Sequence, residues 1–131
     1  MSRAREGGDR SLDLLIAEAE CRRKAKEADT ARFLLDQALK RDKQHSRALR
    51  EWVRLNEKSD PAEALRALEQ LSAAEPDDPW VKLRLALTLH ALGDDMAARR
   101  ALESFYRLEA SEAMRARAGR LAEELGVGGE R

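Results

Sequence analysis

Apolar residues along this chain return every three or four positions, in stretches separated by Gly, Pro and Asp signals. The pattern is sharpest from Pro79 to Glu112, where two helical stretches are interrupted once, at Gly93-Asp94. Glycine can adopt the left-handed conformation that ends a helix, and Asp94 or Asp95 can accept a backbone N–H to begin the next. The segment therefore predicts a helical hairpin. Its second stretch carries Ala98, Leu102 and Phe105 on one stripe; 34 residues earlier the same stripe reads Ala64, Leu68 and Leu71, and 33 earlier again Ala31, Leu35 and Ala38. Hairpins in tandem that cannot each bury their own apolar face gain stability by stacking.

The remaining elements follow in order. Ser11 is the expected N-cap of a first helix with Leu12, Leu15, Ile16 and Ala19 on one side, ending in Arg22-Arg23-Lys24-Ala25-Lys26, where cations suit the helix dipole. Asp29 or Thr30 opens the second helix, with Ala31, Leu34, Leu35, Ala38 and Leu39 inward. Ser46 starts the third, carrying Ala48, Leu49, Trp52, Val53 and Leu55. Asp60-Pro61-Ala62-Glu63 is a strong start signal for the fourth: Asp caps, Pro fits the first helical position, and Glu reaches back to the cap. That helix stops before Pro76, and Asp78-Pro79 repeats the entry for the fifth. A last helix, Ser111 to Leu125, places Met114, Ala118, Leu121 and Leu125 inward and ends at Gly126. The expectation is an all-α solenoid of three antiparallel hairpins (about 11–44, 45–78 and 79–110) plus a capping helix (111–125), with disordered tails at 1–10 and 126–131.

One stretch argues for another reading. Val81, Leu83, Leu85, Leu87 and Leu89 alternate with Lys82, Arg84, Ala86, Thr88 and His90, which is the period of a strand. Helix is preferred, because Leu, Ala, Lys and Arg are good helix formers, β-branched residues are scarce, and the segment lies between a helix start and a helix stop.

The spacing of Leu85-Ala86, Leu89, Gly93-Asp94, Ala98, Leu102 and Phe105 resembles the tetratricopeptide repeat family in order and interval. Ala64, Leu68, Leu71 and Pro76 carry the resemblance into the middle unit, where Trp52 departs from the small residue usual at its place; the first unit matches mainly through its second helix. The resemblance implies a non-catalytic protein–protein interaction module, an adaptor, scaffold or co-chaperone-like protein that holds a partner peptide or helix on the concave faces of its first helices. Wound as a helix, the fifth stretch turns Leu85, Ala86, Leu89 and Leu92 toward its partner helix and Trp80, Leu83 and Leu87 onto a second face. The equivalent face upstream would offer Leu49, Val53 and Asn56, and in the first unit Ile16 and Glu20. The candidate partner-binding residues are thus Leu49, Val53, Trp80, Leu83 and Leu87, lining an apolar groove, with Arg50, Arg84 and His90 as its polar rim. Such a surface differs from the Lys-and-Asn clamp with which some family members grip acidic C-terminal tails. The competing reading is that the last helix folds over Trp80, Leu83 and Leu87 as an ordinary cap.

Composition adds limits. Charged residues make up 38% of the 131 residues and aromatics 4%, a balance that suits exposed helices rather than a sandwich or barrel. The formal charge is zero, so no global field draws the protein to nucleic acid or an anionic membrane. Nucleic-acid binding through the Arg22–Lys26 cluster, and self-association through the groove, are the alternative functions. Cys21 has no partner for an internal disulfide, and the first residues lack the apolar segment of a secretory signal, so the cytoplasm is the expected compartment. His45 and His90 lack metal-ligand spacing, the pairs Asp77-Asp78 and Asp94-Asp95 read as helix caps, and no nucleophile stands with a base; no cofactor, metal or enzymatic activity is expected.

Overall fold

The computed structural model describes residues 10–126. Seven helices lie among them: α1 (Arg10–Lys24), α2 (Ala28–Arg41), α3 (Ser46–Asn56), α4 (Pro61–Ala74), α5 (Pro79–Ala91), α6 (Asp95–Tyr106) and α7 (Glu112–Leu125). Adjacent helices pack as in an α-solenoid, and no strand occurs among the described residues. The alternating leucines are wound into α5. The tails expected at 1–10 and 126–131 fall almost wholly outside the described residues; of their members, Arg10 is helical and Gly126 caps α7.

The local signals act where the chemistry places them. Asp60, Asp78, Asp94 and Ser111 each cap a helix by accepting a backbone N–H from the first turn, and Pro61 and Pro79 occupy first-turn positions whose N–H would have no intrahelical partner. His45 does the same for α3, its Nδ1 accepting from the Ala48 N–H. Two expected starts are displaced. Ser11 lies inside α1, where its Oγ accepts from Arg41 of α2 at 2.8 Å. Helix α2 begins at Ala28 rather than at Asp29 or Thr30, because Lys26 turns left-handed (φ 66°) and the Lys26 and Glu27 N–H groups close back on the carbonyls of Arg23 and Arg22. At the equivalent turn, Gly93 (φ 89°) and Asp94 close on His90 and Leu89 in the same way.

Cap positions set the register of the array. His45, Asp78 and Ser111 are spaced by 33 residues, and Glu27, Asp60 and Asp94 by 33 and 34. On that spacing α7 occupies the place of a first helix in a fourth unit. A shared contact supports this: Arg32 of α2 reaches Asn56 and Ser59 at the C-terminal end of α3, and Arg99 of α6 reaches the Leu125 carbonyl at the end of α7.

The core divides into three clusters, one per hairpin, and each is closed by the helix that follows. Leu12, Ile16, Ala19, Leu35 and Ala38 are completed by Ala48 of α3. Leu49, Val53, Ala64, Ala67, Leu68 and Leu71 are completed by Val81 of α5. Leu83, Ala86, Ala98, Ala101, Leu102 and Phe105 are completed by Ala118, Leu121, Ala122 and Leu125 of α7. Leu85 and Leu89 pack half-buried against this third cluster as expected, whereas Leu92 beyond the helix end is exposed. Stacking is thus written into the burial: no hairpin seals its own interior.

Candidate interaction surface on the first helices

Helices α1, α3, α5 and α7 share one side of the stack, but their neighbour relations differ. The backbones of α1 and α3 lie side by side, as do those of α5 and α7, while α3 and α5 are held apart. What fills the space is charge and one indole. Trp80 at the start of α5 is half-buried, and the guanidinium carbons of Arg50, Arg54 and Arg84 stand 5.2, 5.0 and 5.4 Å from its ring centroid. At such distances each cation is drawn to the electron-rich ring.

These arginines are held in turn by carboxylates. Arg50 donates to Glu75 and, at 2.6 Å, to Asp78. Arg84 donates to both oxygens of Glu57 at 3.0 and 2.8 Å, tying α5 to the end of α3. Arg54 donates to Glu51 at 2.9 Å, and the other Glu51 oxygen accepts from Arg23 of α1 at 2.7 Å. The pairs Arg23–Glu51 and Glu57–Arg84 hold equivalent places at successive junctions with the signs exchanged. Burial alone would raise the Asp78 pKa, but the hydrogen bond and charge of Arg50, with the Val81 and Trp80 N–H groups, outweigh it and hold the carboxyl below its ordinary range. Hydrogen bonds from Arg47 and Lys24 lower Glu20 likewise.

The eight candidate groove residues are divided by the structure. Arg50, Trp80, Arg84, Leu87 and His90 are partly exposed, whereas Leu49, Val53 and Leu83 are at most 4% exposed and belong to the core. They are therefore not available to touch a partner here, and the apolar groove expected from them is not what the surface offers. For Leu49 and Val53 the cause is register: a step of 33 residues back from Leu83 and Leu87 lands on Arg50 and Arg54, not on their neighbours. Asn56 is buried as well, its amide donating to the Trp52 carbonyl and accepting from Arg32, and Ile16 is in the first core cluster. For Leu83 the cause is α7, which lies beside α5 and shares the third cluster with Leu83 and, at its edge, Leu87. Trp80 is not part of that cover. Arg54, and Arg47 one turn before Arg50, are the surface residues that the sequence pattern missed; the Asp78-to-His45 interval was the signal that places them.

Elsewhere His90 bridges Asp95 of α6 (Nδ1, 2.8 Å) and Glu124 of α7 (Nε2, 3.3 Å). The basic end of α1 is largely neutralised within the fold: Arg22 pairs with Glu18 and Glu27, Arg23 with Glu51, and Lys24 with Glu20. No group of metal-ligating side chains occurs among the described residues, and none of their helices is long and apolar enough to cross a membrane.

Residues 55–105, from the end of α3 to the end of α6, match a family model described as tetratricopeptide repeat. Over that span the chain is similar to the tetratricopeptide repeat. The match takes in α4, α5 and nearly all of α6, with the stripes Ala64–Leu68–Leu71 and Ala98–Leu102–Phe105 and the Asp60 and Asp94 caps. No curated protein matches the chain. Tetratricopeptide repeats are typically non-catalytic modules that bind other proteins.

Proposed function

We propose that this protein is a non-catalytic interaction module, working in the cytoplasm, that holds a segment of a partner protein across α3 and α5. The observation that supports this reading is the half-buried Trp80, ringed by three guanidinium groups where two first helices stand apart. An aromatic ring and arginines on a rigid stack are the side chains that carry most binding energy in protein interfaces. Because the stack is closed by its own cores, a partner does not have to order it, so little affinity is lost on docking. Arg47, Arg50, Arg54, Trp80, Arg84 and Leu87 form the proposed surface, with His90 at its edge; Leu49, Val53 and Leu83 support it from below.

A photo-crosslinking side chain placed at Arg54, compared with one at Arg100 on the opposite face, tests the reading. Adducts with protein at position 54 that disappear in a Trp80→Ala background are expected. Adducts that form equally at position 100, or that ignore Trp80, would refute it. Sedimentation run beside it distinguishes a foreign partner from a second copy.

A further inference from the structure

Among the described residues one charged side chain is buried: Glu51, in the middle of α3, is 3% exposed. Taking a carboxylate out of water is costly, and a well-packed apolar residue would serve stability at least as well, so stability is a poor reason for it to be there. What Glu51 does is join helices. One of its oxygens accepts from Arg23 Nε of α1 at 2.7 Å, and the other from Arg54 Nη1, three residues on in α3, at 2.9 Å. The Arg54 guanidinium stands nearest of the three to the Trp80 ring of α5. The other two arginines are anchored closer to the indole. Arg84 lies one turn from Trp80 on the same helix and is held by Glu57, while Arg50 is held by Glu75 and Asp78, which flank the turn between α4 and α5. Arg54 alone takes its place from a carboxylate that another hairpin also grips.

We infer that Glu51 is a positioning residue: gripped by Arg23 of the first hairpin, it seats Arg54 against Trp80, so that the first hairpin sets the packing around an indole it does not touch. The route Arg23–Glu51–Arg54–Trp80 runs from α1 to α5 through side chains, although the backbones of α3 and α5 stand apart. An arginine drawn both to a fixed buried carboxylate and to an aromatic face is held in few rotamers; without the carboxylate, the cost of ordering it falls on whatever docks there. That use for a partner rests on the reading just given, whereas the seating of Arg54 does not. A second ion pair across the same α1–α3 junction supplies the contrast. Glu20 of α1 accepts from Arg47 of α3 at 3.0 Å and from Lys24 at 3.2 Å, and neither cation hydrogen-bonds to α5 or stands over Trp80.

The test is made on the free full chain, from the assigned indole N–H resonance of Trp80. Arg23→Gln and Glu51→Gln should each shift it, and the double variant should shift it no further than Glu51→Gln does. Arg23→Lys, which keeps a donor for Glu51, should leave it near the parent position, and Glu20→Gln, which breaks the neighbouring pair, should not move it. Arg23 lies at the rim of the junction, so its variants should fold even if Glu51→Gln does not. Urea unfolding gives an independent measure. Although Arg23 and Trp80 do not touch, Arg23→Gln combined with Trp80→Leu should depart from additivity by about threefold or more in the unfolding constant, and the departure should vanish in an Arg54→Gln background. A Trp80 resonance that stays still in Arg23→Gln, moves as far in Glu20→Gln, or responds to Arg23→Gln even when Arg54→Gln is present would overturn the inference, as would an additive cycle. Protein adducts at position 54 with a Trp80 resonance indifferent to Arg23→Gln would remove the positioning role alone. The expected shifts without any adducts would uphold that role and remove the interaction reading instead.

Discussion

The junction between α3 and α5 and the junction between α5 and α7 join the same kinds of helix in opposite ways. At the second, Leu121 and Leu125 of α7 join Leu83 in one apolar cluster, and the helices lie close. At the first, the positions equivalent to Leu83 and Leu87 are Arg50 and Arg54, and the helices stand apart around Trp80. Leucines exclude water and draw backbones together; guanidinium groups keep their heads hydrated and hold backbones at arm's length. One stack thereby contains a sealed junction that ends it and an open one that can be read by another molecule.

Substitutions at equivalent positions should break this contrast unequally. The largest effect is expected from Leu83→Glu, which places a carboxylate without a partner in the third cluster and should lower stability by about 3–5 kcal/mol. Arg50, one unit earlier, already carries a charge at that position, so Arg50→Leu should unfold the protein far less; urea denaturation of the two variants compares them directly. Leu121→Ala, which opens a cavity under α7, should lose about 2–5 kcal/mol in the same experiment.

The open junction should show itself in acid. The Asp78 carboxyl has its pKa depressed below the ordinary 3.8, so the stability it contributes is present above that value and is lost as pH falls through the lower folded-state value. Thermal midpoints should therefore stay level from neutrality to about pH 5 and drop below 4. Removing the cation with Arg50→Met should weaken the part of that drop owed to Asp78, while Leu121→Ala should leave it unchanged.

The smallest effect concerns the two left-handed turns. Lys26 sits in a conformation that Gly93 adopts without a Cβ, so Lys26→Gly should raise stability by about 0.5–1 kcal/mol, read as a higher urea midpoint. Gly93→Ala should lower it by a similar amount.

How far the sequence carried the account can be seen at single residues. The stripe Ala98–Leu102–Phe105 and its earlier copies are buried as the periodicity required, and Asp60, Asp78, Asp94 and Ser111 cap the helices they precede. Those features are local, fixed by spacing and by one side chain near one N–H. The surface was harder because it depends on register across units. Aligning α3 by its following helix gives a step of 34 and selects Leu49 and Val53; aligning it by its N-cap gives 33 and selects Arg50 and Arg54. One residue of slip turns a helix by about 100° and exchanges a core face for an exposed one. Leu83 could not be settled by periodicity either, because its burial is decided by where α7 returns. The start of α2 was hidden by Lys26, a residue that seldom takes positive φ.

The most direct measurement is an assigned amide NMR spectrum of the full chain recorded while the protein segment crosslinked at position 54 is titrated in. Shifts should concentrate at Arg47, Arg50, Arg54, Trp80, Arg84 and Leu87 and include the Trp80 indole N–H, with Leu121 and Leu125 unmoved. Shifts centred on α7, or on the exposed faces of α2, α4 and α6, would contradict the division of this stack into an open and a sealed junction.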